Sequence, residues 1–386
     1  MWYKKKIWLL LVAALMVSSL TSCSLKGKKQ PVSTTGFAFD TTYTINLYEG
    51  GSQELINSCI KKCSYYESVF SRTAESSQVY GINEIASCYQ KAVRTKKTTQ
   101  AMWKKRKVTY TQEQIQAMYS IINQHKSEKN KCQYSIKKDG RLTFIVSDEL
   151  RAIIEKGLYY SAQSKGAFDI TILPVSSLWD FQGSDARVPD KDEIESAKER
   201  VSYQKVDIKG NTLTFLMPGM GLDLGGIAKG YIADKLKSYL MEKGVRSGVI
   251  NLGGNVLCIG KKSEDSKFQI GVQQPFADRN ETVFALAIDD LSVVSSGIYE
   301  RYFKKDGKIY HHILNPRTGY SYDNDLMAVT ILSKESVDGD ALSTTCFSLG
   351  VDKGLAYINQ LKDTEAVFIT KDEKKYYSKN FKKYII

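Results

Sequence analysis

Hydrophobic positions in the second half of the chain change abruptly from a strand-like to a helix-like spacing. In residues 221–230 a short apolar run ends at two glycines, and an amphipathic segment begins at once. Ile232, Leu236 and Leu240 then recur at the spacing of one helix face, and Gly244 stands where a helix commonly ends. The pattern predicts a strand, a tight turn and a helix.

The same kinds of pattern predict further elements on both sides of this segment. Helical spacing covers residues 54–70 and 148–163. Thr111 and Gln114 form the sequence pattern of a capping box, and an apolar stripe behind them predicts one more helix. Alternating or short apolar runs predict strands at residues 37–48, 247–252, 268–272 and 282–288, and hairpins at residues 206–215 and 365–385.

The first residues are typical of an export signal. Three lysines at residues 4–6 precede an apolar run at residues 7–20, which is short for a membrane-spanning helix. Residues 20–23 resemble a bacterial lipobox, which predicts cleavage after residue 22 and a lipid on Cys23. A retained N-terminal anchor is the alternative. We expect a lipid-anchored protein on the extracytoplasmic face of the cell membrane.

Composition and charge add little to this picture. The 55 basic and 42 acidic residues give a net charge of +13, and no nucleic-acid-binding motif accompanies them. We therefore expect no nucleic-acid partner, whereas an anionic membrane or an anionic ligand would suit a basic surface. The cysteine spacings match no zinc signature. Cys88 and Cys132 flank a common segment and are the candidates for a disulfide.

Three groups of residues suggest chemistry, and each has a structural alternative. The glycines before the central helix would let an anion approach the helix N-terminus, or would serve only a tight turn. Asp340 and Thr344 lie four apart on a predicted helix, where they would supply oxygen ligands for Mg²⁺ or would cap the helix and face the core. His311 and His312 are adjacent, and either would accept a proton or would be a buried structural histidine.

Several motifs follow one another along the chain, at residues 168–171, 221–230, 251–255, 295–301, 311–319 and 338–345. Taken together they closely resemble the ApbE family of FAD:protein FMN transferases, from about Phe37 to the C-terminus apart from one insertion. The resemblance implies an α+β fold of the ApbE-like (T-fold-like) type, with mixed sheets and packed helices.

The resemblance also assigns roles to individual residues. His312 would help to deprotonate an acceptor hydroxyl, and Mg²⁺ would be held by Asp340, Thr344 and the backbone carbonyl of Ala228. Asp169 could equally cap a turn. The positions that match the family's flavin-nucleotide site are Phe39, Thr73, Ala167, Phe168, Asp169, Gly225, Gly226, Lys229 and Leu314.

The chain departs from the family's pattern at two places. Thr73 stands where the family usually has a Tyr or Trp ring that stacks on the cofactor, so another ring such as Tyr80 would have to supply that contact. A lysine-rich insertion occupies residues 84–145, and we expect a solvated excursion with one helix rather than a partner-binding arm. The domain order is then a signal peptide at residues 1–22, a flexible tether at residues 23–36 and a catalytic domain at residues 37–386.

The expected function is Mg²⁺-dependent transfer of FMN from FAD to a Thr or Ser hydroxyl of an extracytoplasmic acceptor protein, with release of AMP. The same site would serve a Mg²⁺-dependent FAD hydrolase that yields FMN and AMP. A lipoprotein that binds flavin without catalysis is the other alternative.

Overall fold

The computed structural model describes residues 30–94, 108–181, 186–278 and 280–386. The expected export signal and the lipobox at Cys23 lie outside these ranges. Among the residues described, no helix is long and apolar enough to cross a membrane.

The strands that the structure describes are short, as is usual in antiparallel sheets. In chain order they are β1 (Val32–Ala38), β2 (Thr41–Glu49), β3 (Tyr134–Ile136), β4 (Leu142–Ile145), β5 (Val206–Lys209), β6 (Thr212–Phe215), β7 (Ser247–Leu252), β8 (Asn255–Ile259), β9 (Phe268–Gln273), β10 (Thr282–Ile288), β11 (Ser292–Gly297), β12 (Tyr302–Lys305), β13 (Lys308–His311), β14 (Leu326–Ser333), β15 (Glu365–Thr370) and β16 (Lys375–Tyr377).

Helices alternate with these strands along the chain. They are α1 (Gln53–Phe70), α2 (Gln78–Arg94), α3 (Gln112–His125), α4 (Asp148–Gln163), α5 (Leu173–Ser176), α6 (Lys191–Lys198), α7 (Ala228–Glu242) and α8 (Ser336–Ile358). The predicted helices at residues 54–70 and 148–163 are confirmed, as is the central helix that ends before Gly244.

A large antiparallel sheet organises the fold. Its strands lie in the order β1–β2–β7–β8–β11–β14–β15–β16. A smaller sheet has the order β3–β4–β6–β5, and β9–β10 and β12–β13 are separate hairpins. Helices α7 and α8 pack on each other and on the large sheet, α8 against β11 and β14, and every residue of β14 is buried. The helices and sheets together confirm the α+β class.

The N-terminal part of the described chain differs from the prediction. Residues 37–48 are not one strand, because the chain reverses at Phe39 and Asp40, whose φ angles are 57° and 55°. Two consecutive left-handed residues make a tight two-residue hairpin turn. Residues 32–36 of the expected tether form part of β1, which pairs with β2 along its whole length. The tether prediction is therefore wrong for these residues.

The described part of the insertion is largely packed rather than solvated. The capping box of Thr111 and Gln114 is confirmed, and α3 buries Ile115, Met118 and Ile122 against the core, in contact with α2. Strands β3 and β4 extend the hairpin of β5 and β6 into a four-stranded sheet. The expectation of a solvated excursion is wrong here. The lysine-rich composition suggests a solvated segment, but the apolar residues of α3 recur at helical spacing and form a buried face.

The expected disulfide between Cys88 and Cys132 is absent, and both are free thiols. The Cys132 Sγ donates to the carbonyl of Gln78 at 3.5 Å. Gln78 and Cys88 are ten residues apart on α2, or about 15 Å along its axis. Cys132 is therefore too far from Cys88 for a bond.

Candidate active site

The glycine turn is fixed by a side chain instead of a strand ladder. Residues 221–224 join no strand, so the predicted strand is wrong. The amide of Asn83 on α2 donates to the Leu222 carbonyl at 2.9 Å and accepts the Leu222 N–H at 2.8 Å. The Asp223 N–H donates to the Ile170 carbonyl at 2.8 Å. These contacts hold an extended segment in place up to Gly225.

Gly226 lies where backbone approaches two side chains closely. A Cβ at this position would stand 3.0 Å from the Phe168 ring and 3.6 Å from the Thr344 Oγ1. Gly225 is exposed, and its N–H donates to Asp223 Oδ1 at 3.0 Å. The turn therefore presents backbone to solvent with Phe168 and Thr344 beside it, which is what close approach of a ligand requires.

The N-terminus of α7 meets α8 at Asp340. The Gly230 N–H donates to Asp340 Oδ2 at 2.9 Å, and the Lys229 ammonium lies 3.9 Å from Asp340 Oδ1. The Lys229 Nζ also donates to the carbonyl of Gly225 at 3.3 Å. Asp340 thus joins α8 to the start of α7 rather than capping its own helix. The structure brings Asp340, Lys229 and the glycine turn together.

The donor set fits a magnesium ion. Asp340 is 4% exposed, and its Oδ1 contact with Lys229 is longer than the 2.7–2.9 Å of a charge-assisted hydrogen bond. Thr344, one turn further along α8, has its Oγ1 3.4 Å from the Ser296 Oγ. Among the described residues no group of three or more His, Cys, Asp or Glu could hold a metal. One carboxylate with neutral oxygens suits Mg²⁺, which keeps waters and binds substrate phosphates.

His312 is held beside positive charge. Its backbone N–H donates to the Arg301 carbonyl at 3.1 Å. The Nδ1 of its ring is buried and has no hydrogen-bond partner among the described residues. Burial, and then the charges of Arg301, His311 and Lys229, lower the pKa of His312 to about 3. The imidazole is therefore neutral near pH 7, and this is the form that accepts a proton.

The adjacent His311 has a structural environment. It is 4% exposed, its Nε2 lies 3.0 Å from the Tyr322 carbonyl oxygen, and its ring meets Phe347 edge-on. Burial lowers the pKa of His311 to about 4. His311 is therefore packed against Phe347 and Tyr322, and its Nδ1, like that of His312, has no hydrogen-bond partner among the described residues.

Asp169 caps a turn, as its structural alternative predicts. Its Oδ1 accepts the N–H and the hydroxyl of Thr171 at 2.8 and 2.7 Å, and its Oδ2 accepts the Tyr203 N–H at 2.9 Å. The neighbouring Ala167 carbonyl accepts the Tyr322 hydroxyl at 3.0 Å. These bonds order the segment from which the Phe168 ring reaches Gly226.

Sequence reasoning assigned no role to a charged network under the glycine turn. Asp223 Oδ2 lies 3.3 Å from the Arg72 guanidinium and accepts the Ser176 hydroxyl at 2.8 Å. Burial alone would raise the pKa of Asp223, but the charge of Arg72 and these hydrogen bonds outweigh it, and the pKa is lowered. The charge of Arg301 acts on Asp223 as well as on His312. Arg301 lies inside the motif at residues 295–301, and Arg72 directly precedes Thr73, one of the expected flavin-site positions; these were the available signals.

Comparison with known proteins identifies the group to which these features belong. A model of the ApbE family matches residues 99–368, which is more than half of the chain. The chain belongs to the ApbE family. A relative in Klebsiella pneumoniae (strain 342), named FAD:protein FMN transferase, is 42% identical over 235 residues, or 60% of this chain and 72% of the relative. One of the same name in Treponema pallidum (strain Nichols) is 33% identical over 250 residues, or 61% and 69%.

Solved structures agree with the fold of this ApbE-family chain. The flavin transferase ApbE from Vibrio cholerae has a TM-score of 0.70 at 21% identity, over 92% of this chain and 99% of its own. The ApbE protein from Thermotoga maritima has a TM-score of 0.70 at 25% identity, with the same two coverages. The ApbE-like fold expected from the motifs is therefore confirmed.

For three expected pocket residues of this ApbE-family chain, Phe39, Thr73 and Leu314, the described contacts are with other parts of the chain than Asp340 and Lys229. The Phe39 N–H donates to Glu67 Oε1 at 3.0 Å, so the β1–β2 turn is tied to α1. Thr73 is exposed and bonds Ser71, and it follows Arg72 directly. The Leu314 side chain is buried in a separate apolar cluster, with Val175, Trp179, Ile194 and Ala197.

Tyr80 lies on the side of α2 that also carries Asn83. Its charged neighbours are Glu75, Glu84 and Lys129, and Glu84 accepts the Ser127 N–H. Tyr80 and Asn83 are three residues apart, so their side chains are neighbours on the helix surface, and Asn83 holds Leu222 just before the glycine turn. Tyr80 therefore stays the predicted substitute for the ring that Thr73 lacks.

Proposed function

We propose that this ApbE-family protein transfers FMN from FAD to a threonine or serine hydroxyl of an extracytoplasmic protein, releases AMP and requires Mg²⁺. The names of its relatives support flavin transfer and a protein acceptor. The observation that carries the proposal is the meeting of the glycine turn, Asp340, Thr344 and Lys229 near the N-terminus of α7. The charge of Lys229 also acts on His312.

The glycine turn suits the diphosphate of FAD. Gly225 and Gly226 present backbone at the start of a helix, where the helix dipole favours negative charge. The positive charges of Arg72, Lys229 and Arg301 act on groups in or beside the turn. We retain as proposals the other pocket positions expected from the sequence, which are Phe39, Thr73, Ala167, Phe168, Asp169 and Leu314.

Asp340, Thr344 and the Ala228 carbonyl would hold the magnesium ion. When bound there, Mg²⁺ neutralises charge on the transferred phosphoryl group and on the leaving phosphate. Lys229, which shares Asp340 with the ion, would remain near the turn and contact a phosphate oxygen.

His312 would take the proton of the acceptor hydroxyl. The hydroxyl oxygen attacks the FMN-side phosphorus, a new P–O bond forms, and the bond to the AMP phosphate breaks with its electron pair leaving on AMP. The product is FMN joined to the acceptor by a phosphodiester. In the free protein, burial and then the charges of Arg301 and Lys229 lower the pKa of His312. A bound diphosphate would offset these charges and bring the pKa closer to the working pH.

The location of the reaction is proposed from the sequence. Cys23 would carry the lipid, and residues between Cys23 and β1 would connect it to the catalytic domain. The acceptor would then be a protein at the extracytoplasmic face of the same membrane.

The experiment is incubation of the protein with FAD, Mg²⁺ and a candidate acceptor domain. Flavin that stays with the denatured acceptor, together with one AMP per transfer, supports the transferase. Free FMN and AMP in equal amounts with unlabelled acceptor would indicate the hydrolase, and intact FAD would indicate a binding protein. An acceptor whose Thr and Ser residues at the modified site are changed to Ala is the matched control.

A further inference from the structure

Helices α7 and α8 begin against each other, and each receives a carboxylate from the other. Asp340 of α8 accepts the N–H of Gly230, the third residue of α7, at 2.9 Å. Asp234 of α7 accepts the N–H groups of Ser336 and Val337, the first two residues of α8, at 2.7 and 2.8 Å. The first N–H groups of a helix have no partner within it, so both carboxylates satisfy donors that would otherwise lack one.

Asp234 is the carboxylate that caps α8. The preceding residue, Glu335, makes no side-chain cap. The Ser336 hydroxyl donates to Asn255 Oδ1 at 2.6 Å and accepts the Ser292 hydroxyl at 2.8 Å. The first turn of α8 is thus fixed by α7 on one side and by strands β8 and β11 on the other.

The two contacts set the position of one helix along the other. Asp340 lies four residues after Ser336, or about 6 Å further along α8, and Thr344 lies one turn beyond that. A displacement at the start of α8 is therefore passed to both side chains, because a helix moves as a rigid rod over this length. A Cβ on Gly230 would stand 2.3 Å from the Ser336 carbonyl oxygen, so the helices already touch at this point.

We infer that Asp234 is a positioning residue, which sets α8 against α7 so that Asp340 and Thr344 face the Ala228 carbonyl and the glycine turn. This role rests on the proposed function and extends it beyond the ligands themselves. Asp234 contacts neither ion nor FAD in this arrangement and acts through the two backbone N–H groups of α8.

The test compares Asp234→Asn with a matched control in the first turn of α8, the turn that Asp234 caps. Asparagine keeps the size but has one acceptor oxygen, so one of the two N–H groups loses its partner. Asp338→Asn is the control: the Asp338 carboxylate accepts the Tyr160 hydroxyl at 2.7 Å and pairs with Lys156 of α4, also at 2.7 Å. Both variants lose a carboxylate near the start of α8, but Asp234 alone of the two bonds α7 to α8.

Two readouts separate positioning from stability. The first is the Mg²⁺ concentration that gives half of the metal-dependent rise in melting temperature, measured without FAD. The second is kcat and KM for FAD at saturating Mg²⁺. Loss of a supporting contact around a metal ligand typically lowers metal affinity or activity by about 10–100-fold. We expect Asp234→Asn to shift the Mg²⁺ midpoint and lower kcat by such factors, with KM for FAD within about threefold, and Asp338→Asn to leave the midpoint unchanged.

An unchanged Mg²⁺ midpoint and kcat in folded Asp234→Asn would overturn the inference and leave Asp234 as a helix cap. If that variant does not fold, Asp234→Glu decides by the same titration. It keeps both acceptor oxygens but adds a methylene that pushes the helices apart, and a parent-like midpoint overturns the inference again. Failure of the proposed function shows separately, as absence of covalent flavin in the parent protein. A parent whose melting temperature ignores Mg²⁺ would overturn the positioning role directly.

Discussion

Replacement of Gly230 by alanine tests how tightly the two site helices are joined. The added Cβ would lie 2.3 Å from the carbonyl oxygen of Ser336 and 2.7 Å from the Cα of Val337. Both neighbours are backbone, so no side-chain rotation relieves the contact. To reach an ordinary separation, α7 and α8 must move apart by about 1 Å. The 2.9 Å bond from the Gly230 N–H to Asp340 would then be broken or badly stretched.

The expected loss of stability follows from three contributions. Overpacking costs about 1–3 kcal/mol. Loss of a hydrogen bond to a charged group costs about 1.5–3 kcal/mol. Alanine is better than glycine inside a helix by about 1 kcal/mol, which acts in the opposite direction. We therefore expect Gly230→Ala to lower the free energy of unfolding by about 1.5–5 kcal/mol.

Urea unfolding of the parent and the variant measures this difference. Ser238→Ala, on the exposed side of the same helix, is the control, because it removes no contact with α8. If Gly230→Ala remains folded, it should also require more Mg²⁺ for AMP release, because Asp340 has moved. A Gly230→Ala protein as stable as the parent would show that the helices are not in contact here, and the reasoning would be refuted.

Four further results are expected. His312→Ala should lower flavin transfer by about 10²–10⁴-fold while FAD still binds, as measured by fluorescence, and full activity would show that another group takes the proton. Asp340→Ala should abolish the magnesium dependence of AMP release, with a smaller loss in Thr344→Val because a neutral oxygen is removed; a parent-like magnesium curve in the first variant would place the metal elsewhere. The Cys23→Ala protein should be lost from the membrane fraction when cells are fractionated, and unchanged membrane attachment would contradict the lipobox prediction. The pKa of His311 is lowered by burial from 6.5 to about 4, so the unfolded chain binds more protons, and the stability this gives is complete above pH 6.5 and is lost as pH falls toward 4. His311→Gln should accordingly remove about 2–3 kcal/mol of the difference in unfolding free energy between pH 7 and pH 4.5, and an unchanged difference would mean that His311 titrates normally.

Elements with a strong local pattern were predictable from the sequence. The bounds of α4 match the predicted residues 148–163, and the hairpin of β5 and β6 turns at Gly210, whose φ is 51°. In each of these, the apolar spacing and the turn residues favour the same structure. An element can be predicted from the sequence when its local signals agree in this way.

Contacts between distant parts of the chain were not predictable in this way. Residues 221–224 have the composition of a strand, but their partner is the side chain of Asn83, 139 residues away. The bonds from Asp234 to the start of α8 span more than 100 residues. Apolar spacing reports which face is buried but not which polar group meets it, so it could place Asp340 on a helix without revealing its contact with Gly230.

The prediction of a single strand in place of the β1–β2 hairpin was wrong for a different reason. Phe39 and Asp40 both have positive φ, which is most often signalled by glycine or asparagine. Neither position carries the usual glycine or asparagine signal, so a single strand was the simpler reading. The turn is held instead by the Phe39 N–H bond to Glu67, a tertiary contact.

Strand β2 pairs with β7, and the chain makes an excursion of about 200 residues between them. The entropy lost in closing such a loop grows only with the logarithm of its length. Removal of the roughly 60 residues of the insertion would change this term by about 0.3 kcal/mol. This interval is consequently a region where evolution, or a protein engineer, can lengthen or shorten the chain with little effect on closure of the sheet. The link between β1 and β2 has no such latitude, because its two residues fix the register of the pair.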